Sequence, residues 1–348
     1  MSEPWFIDAT GEGRMVRHES GILADRQAEG DYADLCGDEE RTVLAFLAAR
    51  PWREGLREHF ADRPWLRDII TDPRRAAAIL QVPLAPGSRV LDVGSGWGQL
   101  AVPLAQRGHE VVCLDQTPSR LLLLQAIARQ EGVAPHLVHG DIETLPLAGG
   151  AFDLIVLNGV LEWTVRGRAA EAAPAAHQAA VLRRCAGLLR PGGCIFLAIE
   201  NALGLKYLMG SRDDHCGLPW VTLAGDDDAE RRWRQAGVGL LRARTHDLAG
   251  YRTIFADAGL GEELAWACFP DYKLPRHVVP LHTVDNFLLN VPSMPEHHGD
   301  NGEALPTEWP LLDAYRRLAC NGAGGLFAPS YAFLLSPKKG SMVHCAHS

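Results

Sequence analysis

Apolar residues recur at helical spacing early in the chain and form short uninterrupted runs further along it. Between about residues 40 and 80 the helical spacing includes Val43, Leu44 and Leu47, and prolines at positions 51, 64 and 73 interrupt it. A turn signal at Leu84-Ala85-Pro86-Gly87 ends this region. The pattern predicts a helical N-terminal cap over residues 1–85.

After residue 86, short apolar runs alternate with helical segments, which is typical of strands and helices around a parallel sheet. The predicted strands are 89–93, 110–114, 136–139, 152–157 and 194–199, and the predicted helices are 98–107, 118–131 and 175–189. The alternation stops after Glu200. It resumes with a helix at 247–258 and a strand near 263–269, and a polar loop at 292–308, a short helix at 310–319 and a strand at 330–336 follow.

These elements divide the chain into five segments. They are the cap (1–85), the first part of a core (86–200), an insertion after the fifth core strand (201–245), the remainder of the core (246–291), and a final loop, short helix, strand and tail (292–348). The predicted fold is α/β, with a doubly wound, mostly parallel seven-stranded sheet.

Composition excludes a membrane protein. Hydrophobic residues make up 47% of the 348 and charged residues 22%, and no run approaches the roughly 18 apolar residues that a membrane helix requires. The first residues, Met1-Ser2-Glu3-Pro4, lack the basic and apolar segments of a secretory signal. We therefore expect a soluble, cytoplasmic protein without membrane insertion.

Charge and the metal-binding residue types exclude further classes. The formal net charge of −9 disfavours binding to a phosphate backbone, so DNA or RNA is not expected as a partner. The eight cysteines contain no C-x-x-C pair and indicate neither a disulfide framework nor a zinc cluster. His297-His298, and His344 with His347, lie in segments that we expect to be a surface loop and a frayed tail, so we expect no metal site.

The first core strand runs into three closely spaced glycines, in Arg89-Val90-Leu91-Asp92-Val93-Gly94-Ser95-Gly96-Trp97-Gly98. Glycines allow a sharp turn and let a nucleotide-like ligand approach the main chain. A purely structural turn is the alternative. A nicotinamide-nucleotide site fits less well, because its fingerprint is G-x-G-x-x-G, whereas Gln99 follows a G-x-G-x-G run here.

Acidic residues follow the second and third core strands. Asp115 ends the second strand, where a carboxylate can accept both hydroxyls of a ribose; alternatively it caps the helix that begins near Pro118. Asp141, after Gly140, could hydrogen-bond an adenine amino group, or it could be a solvated loop acid.

Together these features resemble the class I S-adenosylmethionine-dependent methyltransferases. The glycine motif, the acid after strand two, the Gly-Asp pair after strand three and Pro191-Gly192-Gly193 before strand five occur in that order, over residues 86–200. The resemblance implies a Rossmann-like fold and S-adenosylmethionine as cofactor. It places the cofactor's amino-acid part near Asp92, Gly94, Gly96 and Gly98, its ribose at Asp115 and its adenine at Asp141, with Gln116, Ile142 and Asn158 completing the site.

The substrate side resembles a bacterial subgroup associated with glycan and specialised-metabolite pathways. Strand five runs into Ile199-Glu200-Asn201-Ala202-Leu203-Gly204-Leu205-Lys206-Tyr207, and Phe269-Pro270-Asp271-Tyr272-Lys273-Leu274-Pro275 occurs late in the chain, as in that subgroup. After strand four, Trp163 stands where many members of the family carry His. This segment also lacks the Asn/Asp-Pro-Pro-aromatic signature of nucleic-acid amine methyltransferases.

We expect His215 to accept a proton, oriented by Asp213 or Asp214, since imidazole titrates near neutral pH; alternatively it only organises the insertion. Asp271, Tyr272 and Lys273 either close the pocket or terminate an edge strand, and Glu200 and Asn201 could instead cap the following turn. The expected substrate-binding residues are Trp163, Glu200, Asn201, Lys206, Tyr207, Asp214 and Tyr272.

The expected activity is methyl transfer from S-adenosylmethionine to an O or N nucleophile of a small molecule, either a specialised metabolite or a glycan precursor. Two alternatives stay open. One is N-methylation of a peptide or protein, in which the acidic stretch 226–230 attracts cationic chains. The other is a binding protein that keeps the fold without catalysis.

Overall fold

A ten-stranded mixed sheet organises the computed structural model, which describes residues 4–6, 14–28, 35, 37–165, 173–237, 243–294 and 311–338. The strands are β1 (Met15–Arg17), β2 (Leu23–Asp25), β3 (Arg89–Val93), β4 (Glu110–Asp115), β5 (His136–His139), β6 (Phe152–Asn158), β7 (Leu189–Glu200), β8 (Leu260–Phe269), β9 (His277–Pro280) and β10 (Ser330–Pro337). Their order in space is β1-β2-β5-β4-β3-β6-β7-β10-β8-β9.

Eleven helices accompany these strands within the described ranges. They are α1 (Gly37–Ala49), α2 (Trp52–His59), α3 (Pro64–Thr71), α4 (Ala101–Gln106), α5 (Pro118–Gln130), α6 (Pro174–Leu188), α7 (Leu205–Leu208), α8 (Asp226–Gln235), α9 (Leu248–Asp257), α10 (Val284–Asn290) and α11 (Leu311–Cys320). Short 3₁₀ turns occupy Pro73–Ala76, Ile79–Gln81, Leu161–Val165 and Leu281–Thr283.

Helices pack on both faces of the sheet, which is why the central strands are apolar at most positions. In β3, Val90 belongs to a buried cluster formed with α1 to α5. Its neighbours Leu91 and Val93 point the other way, into a second cluster with α6, α9, α10 and α11. Alternate side chains of one strand therefore fill two separate cores, as expected for a doubly wound sheet.

The prediction of seven mostly parallel strands is wrong in number and in the extent of parallel pairing. The six neighbours from β2 to β7 in the spatial order pair in parallel, whereas β1, β10, β8 and β9 are joined by antiparallel pairs. The three strands that the sequence did not predict, β1, β2 and β9, have only three or four residues. Runs this short are too brief to show the two-residue alternation of a strand.

The predicted helical cap therefore contains strands as well as helices. β2 pairs with β5 through Leu23 and Val138, so the N-terminal region extends the main sheet at its edge. Helices α1, α2 and α3 follow between Gly37 and Thr71, within the predicted cap.

β7 begins at Leu189, five residues before the predicted start. The Pro191-Gly192-Gly193 segment, predicted to precede this strand, lies inside it, where the register with β6 shifts. A Cβ at Gly193 would stand 3.0 Å from the carbonyl oxygens of Arg190 and Phe152. Glycine is thus needed for close backbone approach at an irregularity of the sheet.

The predicted insertion carries α7 and α8, and a bridge between Asn201 and His246 closes it against the core. Trp233 and Val221 form part of a small core of its own. Most of the predicted loop at 292–308, the tail, Cys36, Cys345 and the four histidines at 297, 298, 344 and 347 lie outside the described residues. Among the helices that are described, none has the length and apolar character needed to cross a bilayer.

Candidate cofactor and acceptor site

A cavity of about 700 Å³ opens at the carboxyl ends of β3, β4, β5 and β6. This edge is where open α/β sheets bind ligands, because the strand order reverses there. Nine of the predicted site residues line the cavity: Gly94, Gly96, Asp115, Gln116, Asp141, Ile142, Asn158, Trp163 and Tyr272.

The turn after β3 keeps side chains out of the cavity. Gly94 has φ +66°, and a Cβ there would lie 2.6 Å from Cγ2 of Val160. The Gly94 N–H donates to the carbonyl of Leu114, which ties the turn to β4. A larger residue would both strain the backbone and push Val160 out of place.

Gly98 and Asp92 do not line the cavity, unlike the other predicted cofactor residues. A Cβ at Gly98 would lie 2.9 Å from Cγ of Leu124, so this glycine serves the packing of the glycine turn on α5. The Asp92 side chain is buried, and its Oδ2 has no hydrogen-bond partner among the described residues. Burial, reinforced by the Asp115 carboxylate and opposed by Arg75, raises the pKa of Asp92 to about 7.

Asp115 joins the glycine turn to the next helix. Its Oδ2 accepts from the Gly96 N–H at 2.8 Å, and its Oδ1 accepts from the Thr117 N–H at 2.8 Å. The bond to Thr117 fixes the start of α5, in line with the helix-capping alternative, and the same carboxylate lines the cavity.

Asp141 stands at the far rim of the same edge. Its Oδ1 accepts from the Glu143 N–H, which fixes the loop after β5, and its Oδ2 accepts from Nε2 of Gln116 at 2.9 Å. Ile142 beside it is buried and contributes an apolar wall. This rim combines a flat apolar surface with amide and carboxylate groups.

Asn158 ends β6 and faces the middle of the cavity wall. Its Nδ2 is buried and has no hydrogen-bond partner among the described residues. Buried donors in folded proteins are nearly always paired, so a donor of this kind at a cavity wall indicates a missing ligand atom.

The opposite wall comes from the cap, and sequence reasoning missed it. Trp65 and Ile69 of α3 line the cavity, as does Arg75 in the following 3₁₀ turn. The Nε and Nη1 atoms of Arg75 are buried without hydrogen-bond partners among the described residues, and its guanidinium lies 5.8 Å from the ring centre of Tyr272. The only sequence signal was an apolar pattern, interpreted as the core of the cap.

Tyr272 approaches the cavity from the segment after β8. Its ring is buried, and a Cβ at Gly159, which has φ +73°, would collide with its hydroxyl. Burial raises the pKa of Tyr272 well above its usual value, so the hydroxyl stays protonated and can donate. Trp163, which is 36% exposed, lines the cavity beside it.

Most of the other predicted substrate residues lie behind the cavity wall in a buried charged cluster. We define this cluster as Glu162, Glu200, Lys206, Asp213, Asp214, His215, Asp271 and Lys273. Lys206 Nζ lies 2.5 Å from Asp214 Oδ2, and Lys273 Nζ lies 2.5 Å from Glu200 Oε1. Lys273 also lines the cavity, so the cluster borders the acceptor end.

His215 does not occupy the position expected of a general base. Its side chain is 5% exposed, it does not line the cavity, and its ring packs edge-on against Trp163 with ring centres 5.1 Å apart. Burial opposes protonation, but the carboxylates of Glu200, Asp213 and Glu162 outweigh it and raise the pKa of His215 well above its ordinary value. An imidazole that already carries its proton cannot accept another, so the geometry does not support the predicted role.

Asn201 and Tyr207 also lack access to the cavity. The Asn201 Nδ2 donates to the carbonyls of Leu326 and Ala328, and its Oδ1 accepts from the Leu203 N–H. Tyr207 donates its hydroxyl to Asp214. These contacts hold the start of the insertion against the sheet, away from the cavity.

Comparison with known proteins identifies the central part of the chain. Residues 91–197 match the family model described as a methyltransferase domain. A ubiquinone biosynthesis O-methyltransferase of Methylocella silvestris is 29% identical over 159 residues, covering 42% of this chain and 58% of that protein. A tRNA 5-carboxymethoxyuridine methyltransferase of Escherichia coli K12 is 32% identical over 120 residues, covering 34% and 42%.

The chain thus spans about half the length of these curated relatives. Among solved structures, the CcbJ methyltransferase from Streptomyces caelestis aligns with a TM-score of 0.45 and 16% identity, over 76% of this chain and 95% of that one.

Proposed function

We propose, from the premise that residues 91–197 form a class I S-adenosylmethionine-dependent methyltransferase domain, that the whole chain transfers a methyl group from S-adenosylmethionine to an O or N nucleophile of a small apolar molecule. The observation that carries the proposal is the cavity at the strand ends. One wall consists of the glycine turn and the acids after β4 and β5, which suit the cofactor, and the other wall is apolar.

The cavity fits the cofactor in shape and in polar groups. The glycine turn leaves the main chain accessible, since a Cβ at Gly94 would meet Val160. Two side chains that line the cavity, Asn158 and Arg75, present buried polar atoms without partners among the described residues, and the buried Asp92 does so in β3, just before the glycine turn. When bound, S-adenosylmethionine supplies an electrophilic methyl group on its sulfur.

Each wall residue has a role that follows from its chemistry. The Asp115 carboxylate at the end of β4 suits the two ribose hydroxyls, and Gln116, Asp141 and Ile142 suit the adenine. Asp92 and Arg75 lie near the turn on which the amino-acid part rests. In our proposal Asp92 faces the ammonium and Arg75 faces the carboxylate, which pairs each ionised group with its opposite.

The acceptor wall indicates an apolar partner. Trp65, Ile69 and Trp163 provide flat apolar surface, while Asn158 and the Tyr272 hydroxyl provide hydrogen-bond donors. Methyl displacement from sulfur requires mainly an aligned nucleophile and little covalent help from the protein. The chain's contribution is therefore to orient the acceptor and exclude water.

The relatives named above methylate in different contexts, one in ubiquinone biosynthesis and one on tRNA. We favour the small-molecule class for this chain because its net charge of −9 opposes a polyanion and the acceptor wall is apolar. Peptide N-methylation is the second candidate, since the first turn of α8 carries Asp226, Asp227 and Asp228.

The first test is calorimetric titration with S-adenosylmethionine. We expect saturable binding, and Asp115→Asn should weaken it roughly a hundredfold, because two charge-assisted hydrogen bonds are lost at about 1.5–3 kcal/mol each. Asp153→Asn is the matched control: this acid pairs with Arg190 at the opposite end of β6 and should leave binding unchanged. Equal affinity in both variants would contradict the proposed site.

The second test identifies the acceptor class. Labelled S-adenosylmethionine is incubated with the wild type and separate pools of small metabolites, peptides and tRNA. We expect label in the small-molecule pool only. Label in tRNA or peptides would replace the acceptor proposal, and binding without transfer to any pool would favour a non-catalytic protein.

A further inference from the structure

Three donor atoms converge in the buried charged cluster without a group that joins them. His215 Nε2 lies 3.8 Å from Glu162 Oε1 and 3.8 Å from Glu200 Oε2. One donor atom from each of the three side chains lies within 4.8 Å of the others. These separations are too long for hydrogen bonds, which reach about 3.2 Å for N–H···O.

The carboxylate of Glu162 has no hydrogen-bond partner for either oxygen in the part of the chain that the structure describes. Glu162 is 1% exposed, so the carboxylate is removed from bulk solvent. Glu200 is fully buried, and its Oε2 is likewise without a hydrogen bond. Buried carboxylates in proteins are paired or coordinate a metal. Glu200 is paired with Lys273 through Oε1, so the Glu162 carboxylate and the second oxygen of Glu200 are the acceptors that indicate a ligand.

A second trio of carboxylates in the same cluster shows what is missing. Glu200, Asp214 and Asp271 also lie close together, but lysine ammonium groups bridge them: Lys206 contacts Asp214 and Asp271, and Lys273 contacts Glu200. Among the described residues, the only ion-pair partner of Glu162 is His215. The whole cluster has five carboxylates against two lysines and one histidine, so further positive charge would balance it.

We propose that Glu162, Glu200 and His215 bind one divalent cation of the Zn²⁺ or Mn²⁺ class. Two carboxylate oxygens and one imidazole nitrogen suit these ions, with the Nε2 proton of His215 released to solvent as the ion binds, whereas Ca²⁺ and Mg²⁺ prefer sites made of oxygen alone. Donor atoms 3.8 Å apart can both reach a central ion at bond lengths of roughly 2.0–2.2 Å. Because all three donor atoms lie within 4.8 Å of one another, a small side-chain shift is enough for the third donor atom to reach the same ion.

The neighbour on the other side of the imidazole supports this arrangement. Asp213 Oδ1 lies 3.7 Å from Nδ1 of His215, and Asp213 is itself fixed by the His215 and Cys216 N–H groups and by the Thr222 hydroxyl. Metal-binding histidines generally direct their second nitrogen toward a carboxylate, and Asp213 lies on that side of the ring, somewhat beyond hydrogen-bond distance.

The proposed site does not depend on methyl transfer and differs from the sequence-based expectation of no metal. The ligands come from three separate elements: the 3₁₀ turn after β6, the end of β7 and the insertion. It borders the acceptor end of the cavity, because Trp163 follows Glu162 and Lys273 contacts Glu200. Its test measures metal content and stability, so it can fail while the proposed activity stands.

The experiment uses the full chain stripped with a chelator and reloaded separately with Zn²⁺, Mn²⁺ or Mg²⁺. After gel filtration, elemental analysis should give one Zn²⁺ or Mn²⁺ per chain and no Mg²⁺. Glu162→Gln preserves the volume of the side chain and removes a ligand charge, so it should weaken binding at least tenfold. Asp228→Asn, an exposed acid of α8, is the matched control and should bind as the wild type does.

Thermal denaturation provides the second measurement. The metal-free wild type should melt below metal-free Glu162→Gln, because the variant removes an unpaired buried carboxylate. The metal-loaded wild type should melt above metal-loaded Glu162→Gln. The proposal is overturned if the wild type retains no Zn²⁺ or Mn²⁺, or if Glu162→Gln retains as much as the wild type. Retention lost instead on replacing His344 and His347 would place the metal elsewhere and overturn it equally.

Discussion

The two walls of the cavity are built in different ways. The wall proposed to bind the cofactor comes from the ends of β3, β4, β5 and β6, between Gly94 and Asn158. Each of these strands is followed by a short loop whose backbone is fixed by neighbouring strands. The acceptor wall comes from α3, the turn after β6 and the segment after β8, which lie far apart in the chain. One wall is thus a local consequence of the sheet, and the other depends on how distant parts pack.

This difference separates a general function from a specific one. Backbone geometry and two acids are enough for the first wall, so many chains can share it. The second wall depends on the positions of Trp65, Trp163 and Tyr272, which are set by packing against the cap and the buried charged cluster. We therefore expect substitutions in the first wall to act on cofactor affinity, and substitutions in the second to act on transfer.

The largest expected effect on cofactor affinity belongs to Gly94→Ala. The added methyl would meet Val160 at 2.6 Å, in a backbone conformation with φ +66° that disfavours a Cβ. Overpacking costs about 1–3 kcal/mol and the left-handed conformation about 1–2 kcal/mol. Calorimetry should show at least a hundredfold weaker binding of S-adenosylmethionine.

Gly108→Ala separates the clash from the backbone strain. Gly108 has φ +84°, and a Cβ there would have no neighbour within 4 Å. It should lose only the stability that the backbone strain costs, about 1–2 kcal/mol, while binding the cofactor as the wild type does. If the two variants bind equally, the turn after β3 does not carry the cofactor.

Arg75→Met tests whether the cap participates in the first wall as well as the second. Removing the guanidinium deletes charge-assisted hydrogen bonds worth roughly 1.5–3 kcal/mol, which predicts about 10- to 100-fold weaker cofactor binding in the same titration. Arg74→Met is the neighbouring control, because Arg74 pairs with Asp72 and does not line the cavity. Unchanged affinity for Arg75→Met would confine the cap to the acceptor wall.

The pH dependence of binding should come from Asp92. Since burial and Asp115 raise its pKa to about 7, the ligand-free chain holds a proton on Asp92 below that pH. A cationic ammonium beside it favours the ionised form, so binding releases the proton and affinity rises as the pH rises. Between pH 5.5 and 7 the cofactor's α-amino group, with a pKa of about 7.7–8.0, stays charged, and we expect roughly tenfold tighter binding at the upper end.

Asp92→Asn should flatten this profile, because the amide does not titrate. Calorimetry at several pH values in buffers of different ionisation enthalpy also counts the released proton. A profile that is equally steep in Asp92→Asn would assign the titration to another group.

The positions of residues in the first wall could be predicted from the sequence, and the contribution of the cap to the second wall could not. Asp115 could be predicted because it directly follows a buried strand whose neighbour carries the glycine turn, and both strands have the expected positions. Arg75 could not, since its 3₁₀ turn reaches the cavity only through packing of the cap. His215 was chosen for its intrinsic titration range, but the three surrounding carboxylates come from Glu162, Glu200 and Asp213, and only the last is near it in sequence.

The smallest expected effect on cofactor affinity is that of Tyr272→Phe, and this variant distinguishes the two walls most directly. The ring remains packed against Gly159, and the backbone N–H of residue 272 still donates to Ser330, so the wall keeps its shape. Only a neutral hydroxyl donor is lost, at about 0.5–1.5 kcal/mol. If that hydroxyl orients the acceptor, transfer of labelled methyl to the active pool should fall about tenfold, while S-adenosylmethionine binds within about threefold of the wild type. Equal losses of binding and transfer would show instead that Tyr272 belongs to the cofactor wall, and the two walls would no longer be separable.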